Sequence, residues 1–282
     1  MNIQIIIPAH NEEAFLAQTL KSLVVQTLQP KKIVIVNDGS KDDTQQIIDL
    51  FSEKYSFITS VASNAMSKHE PGSKVINAFY KGYEILDHSY DVICKFDADL
   101  IFPKNYLEKI SELFQKDSKT GMAGGFCTID KNGHWELENL TNKDHIRGAL
   151  KAYRKNCFTE IGGLKNTMGW DTVDELLAQY HGWKVVTDQT LRVKHLKPTG
   201  ATYTKAAKYK QGEAFYKMRY GWVLTQIAAI KLAQKKKSLS FYYNCMQGYI
   251  KAKKGKTPFI VTKEEGEFIR KLRWKKIKEK LF

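Results

Sequence analysis

The stretch that decides the fold is Ile3-Gln4-Ile5-Ile6-Ile7-Pro8-Ala9-His10-Asn11-Glu12, an apolar run that stops at a proline and continues into polar residues. Its β-branched residues predict a buried strand, and the residues after Pro8 predict a loop. The same order recurs in Ile33-Val34-Ile35-Val36-Asn37-Asp38-Gly39-Ser40 and in Val92-Ile93-Cys94-Lys95-Phe96-Asp97-Ala98-Asp99. Each of these strands is therefore expected to carry polar or acidic groups at its carboxyl end.

Amphipathic helical patterns separate the strands. Apolar residues recur at helical spacing in residues 12–26, 42–51 and 75–86, and a weaker strand pattern covers 57–61. Strands that alternate with helices of this length predict βαβ units, an α/β class and a mostly parallel sheet with helices on both faces. Ligands of such sheets bind outside the carboxyl ends of the strands, which is where the polar residues gather.

The charge is distributed unevenly along the chain. The 282 residues carry a formal net charge of +15. Residues 1–199 hold 24 Lys and Arg against 25 Asp and Glu, whereas residues 200–282 hold 21 against 5. The later residues also have a helical pattern, so we expect a neutral α/β domain over 1–199 and a basic, mostly helical extension over 200–282.

Several classes of protein are disfavoured. A strand followed by Pro8 and two acids does not fit a signal peptide. The longest uncharged apolar stretch, residues 220–230, would span roughly 17 Å as a helix, against about 30 Å of bilayer hydrocarbon. The four cysteines lie far apart with no CxxC spacing. This spacing is typical of reduced, mostly buried thiols in a cytosolic protein rather than of a zinc site or a disulfide framework.

The sharpest local feature is Asp97-Ala98-Asp99. In an extended segment, residues i and i+2 project to the same side, so the two carboxylates are expected to lie side by side. Such a pair repels unless a cation neutralises it. Oxygen ligands of this kind suit Mn²⁺ or Mg²⁺, which often bind substrate phosphates at the same time.

Three motifs together resemble the GT-A-fold family 2 glycosyltransferases. They are Pro8-Ala9-His10-Asn11-Glu12-Glu13, Val36-Asn37-Asp38-Gly39-Ser40-Lys41-Asp42-Asp43-Thr44 and Asp97-Ala98-Asp99, against the family's PxYNEE, VDDGSxDxT and DAD. The resemblance covers roughly residues 3–195. It implies a Rossmann-like nucleotide-binding half over about 1–100 and an acceptor half over about 101–199.

The same resemblance implies the activity. A sugar, most often from a UDP-sugar, would pass with inversion to a hydroxyl of a glycan or lipid-linked acceptor. The pathway would be the synthesis of cell-envelope polysaccharide or glycoconjugate. Such an enzyme is expected to be cytoplasmic, at the inner face of the plasma membrane, with Mn²⁺ or Mg²⁺ as its cofactor.

The resemblance also assigns residues to the nucleotide sugar. The nucleoside pocket is expected to be lined by Pro8, Ala9, His10 and Glu12. Asp38 is expected to contact the base, and Lys74 to approach the diphosphate. Asp97 is expected to meet the ribose or a metal-bound water. Two departures are peripheral, since His10 replaces a Tyr and Asn37 replaces the first Asp of the second motif.

Metal binding and proton transfer are assigned to the remaining residues. Asp99 is expected to be the direct metal ligand, and His195 lies where several relatives place a late ligand, although a surface histidine is the alternative. The family's ED motif falls on Val173-Asp174, which makes Asp174 the expected general base. Because Val173 replaces the Glu, Asp171 and Glu175 stay open as alternative bases.

The sequence disfavours two other functions. A nucleotidyltransferase that makes sugar nucleotides typically has a glycine-rich, basic first loop, which residues 8–13 lack. The basic extension invites a nucleic-acid-binding function, but it contains no recognised module and the acidic sheet edge would repel phosphate. We therefore expect no nucleic-acid partner.

The last fifteen residues, 268–282, hold seven Lys or Arg and one acid among apolar residues. Basic residues near an anionic leaflet favour binding to it, so reversible membrane association of this tail is expected. Its two apolar stripes point to an alternative, in which one side docks on the catalytic domain and the other on a partner subunit in a homo-oligomer. The stripes are Phe268, Ile269 and Leu272 on one side, and Trp274, Ile277 and Leu281 on the other.

Overall fold

The structure, a computed structural model, describes residues 1–63, 73–138, 143–197 and 208–281. The strands in this part of the chain are β1 (Ile3–Ala9), β2 (Lys32–Asn37), β3 (Ile58–Ala62), β4 (Val92–Phe96), β5 (Leu100–Ile101), β6 (Thr120–Lys131), β7 (His134–Leu137), β8 (Leu150–Arg154) and β9 (Lys184–His195). The helices are α1 (Leu16–Val24), α2 (Thr44–Lys54), α3 (Ser73–Tyr83), α4 (Tyr106–Lys116), α5 (Lys155–Glu160), α6 (Trp170–Tyr180), α7 (Lys210–Lys217), α8 (Gly221–Lys235), α9 (Leu239–Lys254) and α10 (Lys263–Leu281).

The first four strands form the parallel half of one sheet. Its order is β3-β2-β1-β4-β8-β6-β9-β5, with β7 paired to β6. Strands β3, β2, β1 and β4 are parallel, and Ala9 at the end of β1 lies opposite Asn37 at the end of β2. The predicted βαβ units and the α/β class are confirmed, and the carboxyl ends of these strands do meet at one edge.

Beyond β4 the sheet is mixed. Strand β8 is antiparallel to both β4 and β6, while β6 and β9 run parallel. The two-residue strand β5 pairs antiparallel with the end of β9, which places Leu100 opposite His195. This pairing brings His195 beside the carboxylate that precedes Leu100, although 96 positions separate the two residues in sequence.

The core lies between the sheet and its helices. Ile5, Ile6 and Ile7 are fully buried in β1, as are Leu16, Leu20 and Leu23 on the apolar stripe of α1. A Cβ added at Gly82 would lie 2.7 Å from the Ile6 side chain, so α3 packs closely against the sheet. All four cysteines are free and buried, as the spacing predicted.

The C-terminal helices pack on one another and on the catalytic half. A Cβ added at Gly212 would lie 1.7 Å from a backbone oxygen of α9, so α7 and α9 approach backbone to backbone. The Phe268 ring lies 5.6 Å from the Tyr180 ring, and Ile269 is fully buried. The first apolar stripe of the tail therefore docks on the body of the protein.

Two other expectations about the C-terminal part have different outcomes. The predicted boundary at residues 199 and 200 lies outside the described residues, as does Phe282, the last residue of the tail. In the part of the chain that the structure describes, no helix combines the length and the apolar character that a membrane span needs.

Candidate functional site

The loops after β1 and β2 form one side of the site. Pro8 and Ala9 end β1, and His10 Nδ1 lies 2.7 Å from the backbone oxygen of Asp38. The Asp38 amide donates to the backbone oxygen of Ala9 at 2.8 Å, and Gly39 has the positive φ of 67° that its turn requires. These contacts bring together the residues expected at the nucleoside.

Asp97 follows β4 at the same edge. The ammonium of Lys95, which is almost completely buried, forms an ion pair with Asp97 Oδ1. About a third of the Asp97 side chain stays exposed. The ion pair with Lys95 thus orients the Asp97 carboxylate, part of which remains accessible to a ligand.

Asp99 and His195 lie deeper. Asp99 Oδ2 is 3.4 Å from His195 Nε2, and His195 Nδ1 is 3.0 Å from Glu138 Oε2. Burial disfavours a charged imidazole, but the carboxylates of Asp99 and Glu138 outweigh it and raise the pKa of His195 to about 9. The three side chains form a continuous chain from the sheet edge to the residue that follows β7.

Glu12 joins this edge from the first loop. Lys197 donates to Glu12 Oε1 at 3.1 Å, while Glu12 Oε2 is buried with no hydrogen-bond partner in the structure. Burial raises the pKa of Glu12, and Lys197 opposes this while the charges of Asp99 and Asp97 add to it. The arrangement concentrates three carboxylates on one small surface.

A divalent cation fits these residues. Asp99 Oδ1 is buried and has no hydrogen-bond partner, a costly state unless a ligand occupies that position. Neighbouring ligands of an octahedral cation with bonds of about 2.1 Å lie about 3 Å apart, close to the 3.4 Å between Asp99 and His195. Carboxylate and neutral imidazole together suit Mn²⁺, and a bound cation would displace the proton that the two carboxylates favour on His195.

The three acids of α6 have very different surroundings. Asp174 has no exposed surface, and Lys151 donates to its two oxygens at 2.8 and 2.9 Å. The Tyr153 hydroxyl donates to Asp174 Oδ2 at 2.5 Å. Burial raises the pKa of Asp174 to about 6 against the opposing charge of Lys151. The structure therefore places the expected base inside the core, where its oxygens are already bonded.

Glu175 is also occupied with other residues of the protein. Its Oε1 accepts from the Ile146 amide at 2.8 Å and from Lys151 at 3.2 Å. Its Oε2 lies 2.9 Å from Nδ1 of His145. Glu175 thus ties the segment before β8 to α6 and is a structural acid.

Asp171 is the accessible acid of α6. About a third of its side chain is exposed, and its Oδ2 lies 3.6 Å from His145 Nε2. Burial favours the neutral acid, yet His145 and Lys151 outweigh it and lower the pKa of Asp171 to about 2. Asp171 is therefore ionised at neutral pH, as a proton acceptor must be before it reacts.

A small cavity of about 80 Å³ lies between the Glu138 side and the His145 side of the site. Its lining residues are Gly125, Phe126, Cys127, Leu137, Glu138, Lys143, His145 and Arg147. Arg147 forms an ion pair with Glu138, which links the two sides. Of its lining residues, Glu138 contacts His195 and His145 contacts Asp171.

Two residues beside the site, Glu138 and Lys151, were not identified from the sequence. Glu138 reaches His195 through β6, because its amide bonds to Cys127 and β6 lies beside β9. Lys151 lies on β8, a short charged strand without β-branched residues that the sequence pattern did not predict. The one available hint is the polar alternation of Lys151 and Tyr153.

The structure leaves one expected site residue untested and shows a buried tryptophan near the site. Lys74 is half-buried at the second position of α3, and its approach to a diphosphate stays a prediction. Trp170 is buried, with the ammonium groups of Lys95 and Lys151 5.4 and 5.8 Å from its ring. It therefore serves packing between two buried lysines.

Comparison with known proteins agrees with the resemblance. A family model described as Glycosyl transferase family 2 matches residues 4–165. A Bacillus subtilis (strain 168) protein named "Probable glycosyltransferase YdaM" is 29% identical over 219 residues, which cover 69% of this chain and 47% of that protein. The Staphylococcus aureus poly-beta-1,6-N-acetyl-D-glucosamine synthase is 30% identical over 123 residues, which cover 44% of this chain and 28% of the synthase. The chain thus matches half or less of the length of these relatives.

Solved structures share the fold. S. aureus TarS 1-349 in complex with UDP-GlcNAc has a TM-score of 0.56 at 17% identity, over 83% of this chain and 67% of that chain. The mannosyltransferase PcManGT from Pyrobaculum calidifontis, in complex with GDP-Man and Mn²⁺, has a TM-score of 0.58 at 13% identity. That match covers 95% of this chain and 78% of the other, so it includes the C-terminal helices.

Proposed function

The chain belongs to glycosyl transferase family 2, and from this premise we propose that it transfers a sugar from a nucleotide-diphosphate sugar to an acceptor hydroxyl with inversion. The donor is a UDP-sugar, as in the complex of the structural neighbour TarS. The observation that carries the proposal is the buried Asp99 Oδ1, which has no hydrogen-bond partner in the structure, while Oδ2 of the same carboxylate lies 3.4 Å from His195 Nε2.

The nucleotide binds along the edge where β1, β2 and β4 end. Pro8, Ala9 and His10 line the nucleoside pocket with Glu12, and Asp38 contacts the base. Lys74 approaches the diphosphate. The exposed part of Asp97 meets the ribose or a water, while Lys95 keeps this carboxylate in place.

Asp99 and His195 would hold the divalent cation, which would supply positive charge to stabilise the nucleoside-diphosphate leaving group. The structural neighbour with GDP-Man and Mn²⁺ supports Mn²⁺ as the ion, with Mg²⁺ as the alternative. Glu138 accepts from His195 Nδ1, so the other ring nitrogen is directed toward Asp99.

Asp171 takes the proton from the acceptor hydroxyl. It is ionised and partly exposed, and it lies at the start of α6 next to the cavity-lining His145. Asp174, the residue that the sequence favoured for this role, is shielded by Lys151 and Tyr153 and has no surface to offer an acceptor. His145 holds Asp171 in the ionised form through its positive charge.

The acceptor is a hydroxyl of a glycan or of a lipid-linked glycan. The polysaccharide synthase of S. aureus among the relatives supports a role in cell-envelope polysaccharide or glycoconjugate synthesis. A lipid-linked acceptor would place the enzyme at the cytoplasmic face of the plasma membrane, in peripheral contact with anionic lipid.

The test is a screen of nucleotide sugars for hydrolysis, because many transferases slowly pass the sugar to water when no acceptor is present. We expect release of UDP from one UDP-sugar in Mn²⁺ and none after the metal is chelated. The matched control is Asp99→Asn under the same conditions. Release of pyrophosphate from a nucleoside triphosphate and a sugar phosphate would instead identify a nucleotidyltransferase and contradict the proposal.

A further inference from the structure

Helix α8 exposes an apolar face, here called the α8 face and defined as Trp222, Val223, Ile227 and Ile230. Their exposed fractions are 47, 57, 37 and 46%. Val223, Ile227 and Ile230 follow the i, i+4, i+7 spacing that puts residues on one side of a helix. The opposite side of α8 is occupied, because Leu224, Thr225 and Ala229 are buried against the protein. Trp222 contacts the ring of Tyr249 in α9, with 5.7 Å between the ring centroids, whereas Val223, Ile227 and Ile230 lie on the side of α8 opposite its buried residues.

The segment of the chain that carries the α8 face has charges of a single sign. Residues 214–263 contain ten Lys and one Arg and not one Asp or Glu. Four of the lysines, Lys231, Lys235, Lys236 and Lys237, lie at or just beyond the carboxyl end of α8. An apolar strip bordered by lysines suits a partner that is apolar inside and anionic at its surface.

We propose that the α8 face is the surface by which this protein rests on an anionic phospholipid bilayer. The helix has 15 residues and spans about 22 Å, shorter than the ~30 Å hydrocarbon layer, so it lies in the plane of the interface. A second copy of the chain fits poorly, because pairing two such faces would bring together two acid-free basic segments. A nucleic acid would leave the aliphatic side chains without a partner.

This inference moves the lipid contact from the last helix to α8. In α10, Ile269 is buried, Arg270 and Arg273 bond to the segment before α8, and Lys276 bonds to Asp144. Trp274 is the one large apolar side chain of α10 that is exposed by more than a third within the described residues. Helix α10 thus packs against the segment that precedes α8, and we do not place α10 at the membrane.

The inference deepens the proposed function, since a lipid-linked acceptor requires the enzyme to reach the membrane. The experiment is co-sedimentation of the full chain with phosphatidylcholine vesicles, with and without phosphatidylglycerol, at low and high salt. No donor or acceptor is added, so the outcome does not depend on catalysis. Donor hydrolysis by the same preparations is measured separately and tests the proposed function alone.

We expect binding to the vesicles that contain phosphatidylglycerol, weakened by salt, and little binding to phosphatidylcholine alone. The triple variant Val223→Gln, Ile227→Gln, Ile230→Gln should bind about tenfold more weakly or worse, because the aliphatic groups no longer enter the interface. The double variant Lys235→Gln, Lys237→Gln should also bind more weakly, by about fivefold for each lysine.

The matched control is the triple variant Val25→Gln, Leu50→Gln, Ile85→Gln, which replaces three exposed apolar side chains elsewhere on the protein. This control should bind the vesicles as the unchanged protein does. Helical circular dichroism of each variant shows that it is folded. Normal vesicle binding by the triple α8 variant overturns the inference. Loss of vesicle binding in the single variant Trp274→Ala also overturns it. A concentration-dependent dimer that the triple variant abolishes would assign the face to a second copy and likewise overturn it.

Discussion

Two acidic clusters of this protein consist of similar residues but differ in whether their buried carboxylate oxygens have hydrogen-bond partners. The edge cluster, Glu12, Asp97 and Asp99, contains two buried carboxylate oxygens without hydrogen-bond partners in the structure. In the α6 cluster, Asp171, Asp174 and Glu175, the two innermost acids are bonded by Lys151, Tyr153, His145 and a backbone amide. A buried carboxylate oxygen without a hydrogen-bond partner is a candidate ligand atom for a cation or substrate. A buried acid whose oxygens are bonded to other protein groups stabilises the fold instead.

The largest effect should come from Asp99→Asn in the edge cluster. Turnover should fall by about a thousandfold or more, because a neutral amide holds the cation poorly and the leaving group loses its charge stabilisation. Thermal stability should change little, since the lost carboxylate had an unpaired oxygen. Calorimetric titration with UDP and Mn²⁺ measures the binding, and Asp49→Asn on the exposed side of α2 is the control. Unchanged UDP affinity in Mn²⁺ would remove Asp99 from the metal site.

The next effect concerns the accessible acid of α6. Asp171→Asn should lower turnover by roughly 10²–10⁴ with nearly unchanged donor affinity, because the variant keeps the shape but accepts no proton. Steady-state kinetics with an acceptor, beside UDP binding, separate these two quantities. An Asp171→Asn enzyme with normal turnover would return the base to another carboxylate.

Asp174→Asn should act on stability instead. It leaves the buried Lys151 ammonium without its main counter-charge, so the free energy of unfolding should fall by roughly 3–5 kcal/mol. Denaturant unfolding measures this loss, and activity per folded molecule should drop much less than in Asp171→Asn. A stable Asp174→Asn protein without activity would show that the sequence pattern identified the base correctly and would break the contrast between the clusters.

The smallest effect tests how the edge cluster is supported. Glu138→Gln removes the carboxylate that orients His195, so Mn²⁺ affinity should fall by about 10–100-fold. Titration followed by electron paramagnetic resonance of Mn²⁺ reports this directly, without turnover. Glu136→Gln is the matched control, because Glu136 is exposed and pairs with Lys131 on the surface. Equal Mn²⁺ affinity of the two variants would reduce Glu138 to a structural partner of Arg147.

Much of the nucleotide-binding half was predictable from sequence. Strand β4 spans Val92–Phe96 as predicted, and the stripe of α1 with Leu16, Leu20 and Leu23 is buried. Strand and helix periodicities are local properties, and apolar runs this clear leave little choice of structure. Strand β8 was missed because its alternation of charged and apolar residues is typical of a surface segment, whereas here it lies in the middle of the sheet.

The sequence by itself determined the α/β class, the edge on which Asp97 and Asp99 lie, the family and the basic character of the C-terminal extension. Only the tertiary structure decided which acid of α6 is accessible, which residue contacts His195 Nδ1, and which apolar side chains of the extension stay exposed. The physical reason is that each of these depends on contacts between residues far apart in sequence. The buried Asp174 is paired with Lys151 of β8, and Glu138 bonds to Cys127 of β6. Helix α10 packs its first apolar stripe against α6, whereas the apolar face of α8 stays exposed.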